Sequence, residues 1–527
     1  MSSLYLRPNV QLEPLVDQWY AWTYLIPPAT AARNLTERNF PIMTSFIASP
    51  EVHADAVKNP KMQGGPFVDH DRTRVEEIRE LLNTTRANRS NLVSLSAAIA
   101  ELDTLLRNEA RGQSLNTLYP QIPAALRGFV ELVYDRNSNP SFRVIEPLLY
   151  RSSYYVPKAQ SVMLSLLNGD DRPFVLSTPR LESDQSIHLK ESFASSSIDW
   201  LAELKKCPQP RDEIVSRIGV DKDQQSLFQT MLTEEQPPPY KPYDGAGIRW
   251  RYFGHACILI EAAGVCILCD PVLSYTYESN VSRYTYDDLP DRIDFVVITH
   301  NHQDHILFET LLQIRHKVGT FVVPRSGGGS LQDPSLKLLL EMVGFKNVTE
   351  LGELEEIRFD AGVIVGIPFL GEHADLDVRS KLGYLVRLQG RSVLLLADSC
   401  NIEPMMYQHL SKEIHDCDVL FIGMECDGAP LTWLYGPLLT QKPDRAKDLS
   451  RRLSGSNYEQ AISIVNCFKP AEAYVYAMGQ EPWLNYIMSI KYTEQSRPII
   501  ESNRFVQECN SRGVRAERLF GEKEILI

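Results

Sequence analysis

The stretch IDFVVITHNHQDH, residues 293–305, decides the fold of the C-terminal half of this chain. Its mostly apolar first six residues are typical of a buried strand. Four metal-binding side chains follow directly: His300, His302, Asp304 and His305. Burying them without a cation would leave unpaired polar groups, at about 1–3 kcal/mol each. We therefore predict a metal site at a strand end, where α/β folds place their chemistry.

The sequence around this stretch alternates apolar runs with helical patterns. IRWRYFGHACILIEAAGVCILCDP predicts two strands around a turn at Ala263 and Gly264. Helical spacing occurs in ILFETLLQIRHKVG and near SLKLLLEMVG. Further strands are predicted in TFVVP, GVIVGIP, GYLVRLQ, RSVLLLAD, DVLFIGM and AEAYVYAMG. Strands interleaved with helices predict α/β layers.

A break in composition separates this half from the first. TEEQPPPYKPYDGAG, residues 233–247, is rich in proline and glycine and predicts a linker. We place an N-terminal α+β domain at 1–243 and a catalytic domain at 244–527. In the first, residues 72–110 predict one or two amphipathic helices, while FRVIEPLLY and FVLSTPRL could form strands.

Bulk composition excludes several classes of protein. The formal net charge of -13 argues against nucleic-acid binding, which needs a basic face. No apolar stretch approaches the roughly 18 residues needed to span a membrane, and MSSLYLRPNV lacks the pattern of a secretory signal. Nine cysteines without CxxC pairs do not indicate a disulfide framework. We therefore expect a cytoplasmic protein.

The motif at 300–305 resembles the HxHxDH motif of the metallo-β-lactamase superfamily, and the resemblance covers residues 248 to about 500. GHACILIEAAGVCILCDP looks like the opening hairpin of that fold. The resemblance implies an αββα sandwich in which His300 and His302 bind one metal, and Asp304 and His305 the other. Asp270 would support a ligand histidine. His255, in the hairpin, is as compatible with the core as with the site.

Later strand ends offer further ligands by the same resemblance. Asp398 ends RSVLLLAD and matches the carboxylate that bridges the two metals. FLGEHAD matches the position of another histidine, where Glu372 and His373 are adjacent and should face opposite ways. Glu425, at the end of VLFIGME, is another candidate, although an ordinary strand-end glutamate would look the same.

The chain departs from the hydrolase pattern because no histidine follows His415, which lies in a polar helical stretch. If Glu372 and Glu425 fill the gaps, three histidines and four carboxylates hold the metals. Hard oxygen donors suit iron or manganese better than zinc. We therefore expect redox-active metals.

This combination resembles the di-iron aminoacyl β-hydroxylases of nonribosomal peptide assembly, a family with a member in chloramphenicol biosynthesis. The resemblance rests on Glu372, the missing late histidine and the long N-terminal half. It implies one iron held by His300, His302 and Glu372 and a second held by Asp304 and His305. Asp398 would bridge the two, and Glu425 is assigned by position.

The reaction implied by the resemblance is hydroxylation of the β-carbon of an amino acid held as a thioester on a carrier protein. Two ferrous ions would use O2 and an external electron donor. Glu372 could switch from two-oxygen to one-oxygen binding and so open a place for O2, which makes Glu372 and Asp398 the expected catalytic residues.

The N-terminal half, by the same resemblance, would form a homodimer and cover the site. An acidic carrier would need a local basic patch, for which the candidates are Arg315, His316 and Lys317, or Arg379 and Lys381. The aromatic run SYTYESNVSRYTY, residues 274–286, could line a pocket for an aromatic side chain or form a packed loop.

Three alternatives remain open from the sequence. The main one is a dizinc or dimanganese hydrolase, such as a lactonase or thioesterase, in which a metal-bound hydroxide attacks a carbonyl. A scaffold with a relic site and a nuclease are weaker alternatives, because the motif is intact and the chain is acidic.

Overall fold

A computed structural model describes residues 3–415 and 417–527 of the chain. The first half contains short strands and mostly short helices. Its strands are β1 (Ser3–Leu6), β2 (Val10–Val16), β3 (Trp19–Tyr20), β4 (Val130–Tyr134), β5 (Pro140–Val144), β6 (Gln160–Leu166), β7 (Ser186–Leu189), β8 (Gln209–Pro210) and β9 (Leu232–Thr233). Its helices are α1 (Pro28–Asn34), α2 (Phe40–Ala48), α3 (Pro50–Val57), α4 (Val75–Asn88), α5 (Ser90–Glu109), α6 (Glu146–Tyr150), α7 (Ser196–Glu203), α8 (Arg211–Ile218) and α9 (Gln225–Thr230).

The second half is richer in strands. These are β10 (Arg249–Tyr252), β11 (Ile258–Ala262), β12 (Val265–Cys269), β13 (Ile293–Val297), β14 (Val318–Pro324), β15 (Val348–Leu351), β16 (Glu356–Phe359), β17 (Gly362–Ile367), β18 (Gly383–Leu388), β19 (Arg391–Leu395), β20 (Val419–Gly423), β21 (Glu472–Tyr476), β22 (Arg515–Arg518) and β23 (Lys523–Leu526). The helices are α10 (Phe308–Ile314), α11 (Leu336–Met342), α12 (Pro404–Ile414), α13 (Leu431–Tyr435), α14 (Arg445–Ser450), α15 (Tyr458–Phe468), α16 (Asn485–Met488) and α17 (Arg497–Ser511).

Two seven-stranded sheets pack face to face in this half. Their strand orders are β15-β14-β13-β12-β11-β10-β23 and β16-β17-β18-β19-β20-β21-β22. Large apolar side chains fill the space between them, and the indole of Trp250 lies 5.0 Å from the ring of Phe421 and 4.8 Å from that of Tyr474. Helices α12, α15 and α17 cover the outer face of the second sheet. The predicted αββα sandwich is confirmed.

The two halves share one apolar core. A single cluster of buried side chains runs from the N-terminal strands and helices to α10 and α11 on the outer face of the first sheet. Phe193 of the first half stacks on Phe308 of α10, with 6.2 Å between ring centroids. Burial of apolar surface therefore holds the halves together.

The N-terminal half matches its predicted class but not every predicted element. Helices α4 and α5 occupy the predicted stretch 72–110, and FRVIEPLLY supplies β5 but continues as α6. FVLSTPRL contains no strand, so that prediction is wrong. The chain between 234 and 248 contains no helix or strand.

The opening hairpin of the second half differs in one detail from its prediction. The turn at Ala263 and Gly264 is confirmed, with φ of 50° and 77°. The preceding run is broken into β10 and β11, because Gly254 and His255 also adopt positive φ, 105° and 52°. This break places His255 at the end of the sandwich that holds the metal motif.

Among the described residues, no helix combines the length and apolar character that crossing a lipid bilayer requires.

Candidate metal centre

The HxHxDH segment is anchored to the sheet by the carboxylate of Asp270. Strands β12 and β13 run parallel, so Asp270 and Thr299 leave the sheet side by side. Asp270 accepts hydrogen bonds from the backbone N–H and the hydroxyl of Thr299, at 2.7 and 2.6 Å. It also lies 2.8 Å from Nδ1 of His305. Asp270 therefore contacts one of the candidate ligand histidines, as the resemblance implied.

One group of donor atoms comes from His300, His302 and Glu372, all buried. Nδ1 of His302 lies 2.8 Å from Oε1 of Glu372, and Nε2 of His300 lies 3.6 Å from Oε2 of the same carboxylate. Glu372 therefore turns toward the two histidines, as the resemblance implied.

Asp398, directly after β19, lies between this group and a second one. Its Oδ2 is 3.8 Å from Nε2 of His300 and 2.9 Å from Nε2 of His305. A carboxylate with one histidine from each pair on either side occupies the place of a bridging ligand.

The second group consists of Asp304, His305 and His255. Oδ2 of Asp304 lies 3.8 Å from Nε2 of His305 and 3.1 Å from Nε2 of His255. The ring of His255 is fully buried, and its Nε2 is 3.3 Å from Nε2 of His305. His255 was equally compatible with the core and with the site, and the structure favours the site.

Glu425 faces the same cavity as Glu372 and Asp398 but is not part of the three donor groups. Burial raises its pKa well above the usual range, and the carboxylates of Asp398 and Asp304 raise it further. It lies beside Tyr492, whose pKa it raises in turn. Glu425 thus lines the same cavity as the donor groups, and its assignment as a ligand stays a prediction.

The donor set fits two cations. Several buried ligand atoms have no hydrogen-bond partner among the described residues, including Nε2 of His300, Oε2 of Glu372 and Oδ1 of Asp398. Such orphaned groups cost free energy unless something else satisfies them. The three groups together contain four histidines and three carboxylates, and mixed imidazole and carboxylate donors of this kind suit iron.

The pKa shifts within the donor set also favour metal binding. Burial raises the pKa of Glu372 to about 7, although His302 opposes the change. Burial lowers the pKa of His300 well below its usual range, and the neighbouring histidines lower it further. A neutral imidazole is the form that binds a metal ion.

The loop that presents Glu372 has an unusual backbone. Glu372, Ala374 and Asp375 adopt φ of 67°, 52° and 58°, and Gly371 adopts 73°. Left-handed conformations at three non-glycine residues within four positions store strain, which clusters at functional sites. The adjacent His373 was expected to face away from Glu372, and this was wrong. Its ring stacks on His302, 4.5 Å between centroids, because the left-handed backbone turns both side chains to the same side.

A tyrosine from α13 contacts the outer nitrogen of one ligand. The hydroxyl of Tyr435 lies 3.2 Å from Nε2 of His302, whose other nitrogen faces Glu372. Tyr24 of the N-terminal half packs edge-on against Tyr435, with 6.1 Å between ring centroids. The N-terminal half therefore contacts a residue that lies within hydrogen-bond distance of a candidate ligand histidine.

A cavity of about 280 Å³ leads from the donor atoms to the surface. Its inner end is formed by His302, Asp304, Glu372, Asp398 and Glu425. Its walls are mainly apolar, and the N-terminal half contributes to them. The wall residues include Gln63, Trp433, Leu434, Leu453, Ile487 and Met488. Sequence patterns could not identify these residues, because they are ordinary apolar or polar side chains brought together from three distant segments.

Other residues singled out in the sequence lie away from the cavity. Tyr275 and Tyr286 of the aromatic run are buried between the halves, so a packed loop is what the structure shows. Two histidines of the first half, His53 and His70, have structural contacts within that half. His53 accepts from the backbone N–H of Val68, and His70 contacts the carbonyl of Pro179.

The residues of the first candidate basic patch are not exposed on the surface. Arg315 and Lys317 are each 8% exposed. The Arg315 guanidinium donates to Asp199 at 2.8 Å and to the Val343 carbonyl at 2.7 Å, which fixes it in the interface between the halves. In the second candidate pair, Arg379 is exposed beside Asp377, while Lys381 is half-buried.

Known proteins match this chain over nearly its whole length. Residues 5–237 match the family model described as a diiron non-heme β-hydroxylase N-terminal domain, and residues 266–474 match a β-lactamase superfamily domain. The 4-amino-L-phenylalanyl-[CmlP-peptidyl-carrier-protein] 3-hydroxylase of Streptomyces venezuelae is 40% identical over 523 residues, which cover 98% of each chain.

Solved structures give the same result. The crystal structure of CmlA, a diiron β-hydroxylase from Streptomyces venezuelae, superimposes with a TM-score of 0.93 at 39% identity and covers 100% of both chains. A mutant of CmlA gives a TM-score of 0.90, also at 39% identity, and covers 99% of this chain and 100% of its own. With a shared N-terminal domain, a shared sandwich and this level of identity along its full length, the chain belongs to the CmlA-type diiron β-hydroxylases.

Proposed function

We propose that this protein hydroxylates the β-carbon of an amino acid that is held as a thioester on the carrier domain of a nonribosomal peptide synthetase. The Streptomyces venezuelae relative is named as acting on such an aminoacyl carrier protein. The observation that supports the proposal most strongly is the carboxylate of Glu372 beside His300 and His302. A hydrolase of the same fold would place a histidine there.

Two iron ions, when bound, supply the redox chemistry by which O2, two external electrons and two protons convert the C–H bond to C–OH and release one water. We assign His300, His302 and Glu372 to one ion and Asp304 and His305 to the other. Asp398 would bridge them, and Glu425 would complete the set. O2 as co-substrate and an external electron donor are part of the proposal.

Each protein group then has a definable task. Asp270 accepts from Nδ1–H of His305, which directs Nε2 of that ring toward Asp398. The hydroxyl of Tyr435 holds Nε2 of His302 and leaves Nδ1 for the metal. Glu372 would hold one iron ion together with His300 and His302, through one or both of its carboxylate oxygens.

The apolar cavity walls would hold the substrate side chain and exclude bulk water from the reactive end. We also propose that the N-terminal domain, residues 1–243, covers the site of the catalytic domain, residues 244–527, and contributes to a homodimer. We further propose that the enzyme is cytoplasmic and acts in antibiotic biosynthesis.

Metal analysis and product mass test this function together. Purified protein should contain about two iron ions per chain. After anaerobic reduction, addition of O2 and an aminoacyl carrier substrate should raise the mass of the tethered amino acid by one oxygen atom. Two zinc ions with release of the free amino acid would instead support the dinuclear hydrolase.

A further inference from the structure

A small group of accessible residues lines the open end of the cavity that leads to the candidate metal ligands. Asp427 is exposed, and Gln63, Arg452, Ser489 and Ile490 are partly exposed, whereas His302, Glu372 and Asp398 at the metal end are buried. A substrate that reaches the metal centre while attached to a larger body must enter here, with that body resting on the surrounding surface.

Three segments of the chain surround this opening. Each contains or adjoins a cavity-lining residue. They are residues 58–63, residues 439–453 and residues 489–497. We call their exposed surface the entrance rim.

The entrance rim is basic in a chain that is acidic. Its three segments contain nine Lys and Arg residues, and with Asp427 they contain four acidic ones, whereas the whole chain has a net charge of -13. Seven of the nine basic residues are exposed: Lys58, Lys61, Lys442, Arg445, Lys447, Lys491 and Arg497. A local excess of positive charge on an otherwise acidic protein selects for an acidic partner.

Exposed apolar side chains accompany these charges. Met62, next to Lys61, is 43% exposed, and Leu449, between Lys447 and Arg451, is 44% exposed. Apolar contacts surrounded by charges are the usual composition of a protein interface, with an apolar centre and a polar rim.

The rim is held in place by contacts between the halves. Gln63 donates to the carbonyl of Asn485 at 3.4 Å, and Thr440 donates to Asp103 at 2.9 Å. Thr432 donates its hydroxyl to Asp448 in α14 at 2.7 Å. The basic segments of both halves are therefore fixed relative to the opening.

From this arrangement, the geometry points to the entrance rim as the docking surface for the carrier domain. The carrier's acidic face would lie on Lys61, Arg445 and Lys447, and its phosphopantetheine arm would enter the cavity beside Arg452. The inference rests on the proposed function, because only that function requires a carrier. It adds the place on the protein where the carrier binds, which the proposed function does not specify.

Binding of the phosphopantetheinylated CmlP peptidyl carrier protein to the iron-loaded full-length protein tests the inference. We would measure the dissociation constant by fluorescence anisotropy at low and at physiological ionic strength. The triple variant K61E/R445E/K447E should weaken binding by about tenfold or more at low salt and reduce the salt dependence, because rim charges act through long-range attraction.

A matched control reverses three exposed basic residues at the opposite end of the sandwich. K346E/R358E/R391E changes the net charge by the same amount and should leave carrier binding within about twofold of the unmodified protein, since salt screens charges that lie far from the docking surface. Iron content and melting temperature of both variants show whether the fold and the metal centre are retained.

The outcomes separate docking from function. If the two triple variants bind the carrier alike, or if the unmodified protein does not bind it, the docking surface is wrong, even if hydroxylation occurs. If only the rim variant loses binding while no oxygen enters the substrate, the docking surface stands and the proposed function is wrong.

Discussion

At the scale of single residues, each ring nitrogen of His302 has its own neighbour. Glu372 lies 2.8 Å from Nδ1 and the hydroxyl of Tyr435 lies 3.2 Å from Nε2. Loss of the partner behind a metal-binding histidine typically lowers metal affinity 10- to 100-fold. Tyr435→Phe should therefore release iron to a chelator about tenfold more readily, measured by competition. Tyr474→Phe, which removes a buried hydroxyl that contacts Glu472, is the control and should change little. Equal iron retention in the two variants would contradict the role of Tyr435.

Gly423, at the end of β20, leaves room for the bridging carboxylate. A Cβ atom at this position would lie 2.5 Å from Oδ1 of Asp398 and 2.6 Å from the carbonyl of Ala397. Gly423→Ala should therefore displace Asp398 and lower the iron content to about half or less, because one carboxylate serves both ions. Gly436→Ala, whose Cβ would meet only Thr432 at 3.5 Å, should keep its iron. Full iron loading of Gly423→Ala would argue against Asp398 as the bridge.

At the scale of secondary-structure elements, a buried carboxylate joins α6 to the start of α11. Glu146 accepts from the backbone N–H of Ser335 at 3.1 Å. Burial raises its pKa to about 7, and Asp333 and Glu350 add to the effect, while the hydrogen bond opposes it. The folded state thus holds the proton more tightly than the unfolded chain.

Stability should therefore fall as pH rises through this window. Below about pH 4.5 both states are protonated, and between about pH 4.5 and 7 only the unfolded chain releases the proton, which costs up to about 3 kcal/mol. Glu146→Gln removes the titration, so its melting temperature should exceed that of the unmodified protein increasingly from pH 5 to pH 7. A constant difference across this range would contradict the raised pKa.

How much could be predicted from the sequence also differs between elements. The central strands β13, β14 and β17 to β21 were predictable because continuous apolar runs are buried on both faces. The edge strands β15, β16, β22 and β23 were missed, since short, half-exposed strands lack such a run. FVLSTPRL looked like a strand, but it lies against the core as a turn.

The candidate site was predictable where its residues are contiguous or end a strand, as at 300–305 and Asp398. The cavity walls were not, because Gln63, Trp433 and Met488 meet only in three dimensions. The exposure of charged residues is equally hard to predict from sequence. Arg315 and Lys317 were candidates for a surface patch, whereas both are buried in the contact between the halves.

At the scale of the whole molecule, a buried ion cluster crosses the contact between the halves. The guanidinium of Arg172 lies 2.9 Å from Glu309 of α10 and 3.4 Å from Glu13 of β2, and it stacks on Tyr486, which adjoins the cavity wall. The side chains of both glutamates are almost fully buried. Removing Arg172 would leave the buried carboxylate of Glu309 without its ion-pair partner, whereas Glu13 would keep Arg180.

Arg172→Met should therefore destabilise the protein by about 3–5 kcal/mol, measured by thermal or denaturant unfolding. Arg358→Met, which breaks an exposed ion pair with Glu356, should cost about 0–1 kcal/mol. If the two variants unfold alike, the cluster does not hold the halves together.

The measurement that tests the central claim most directly is the isotopic origin of the oxygen in the product. The iron-loaded, reduced protein would react with an aminoacyl carrier substrate under ¹⁸O2 in ordinary water, and in parallel under ordinary O2 in ¹⁸O-labelled water. A di-iron hydroxylase predicts one labelled oxygen on the amino acid, still tethered, in the first reaction and none in the second. Release of a free amino acid labelled only from water would contradict it and identify a hydrolase.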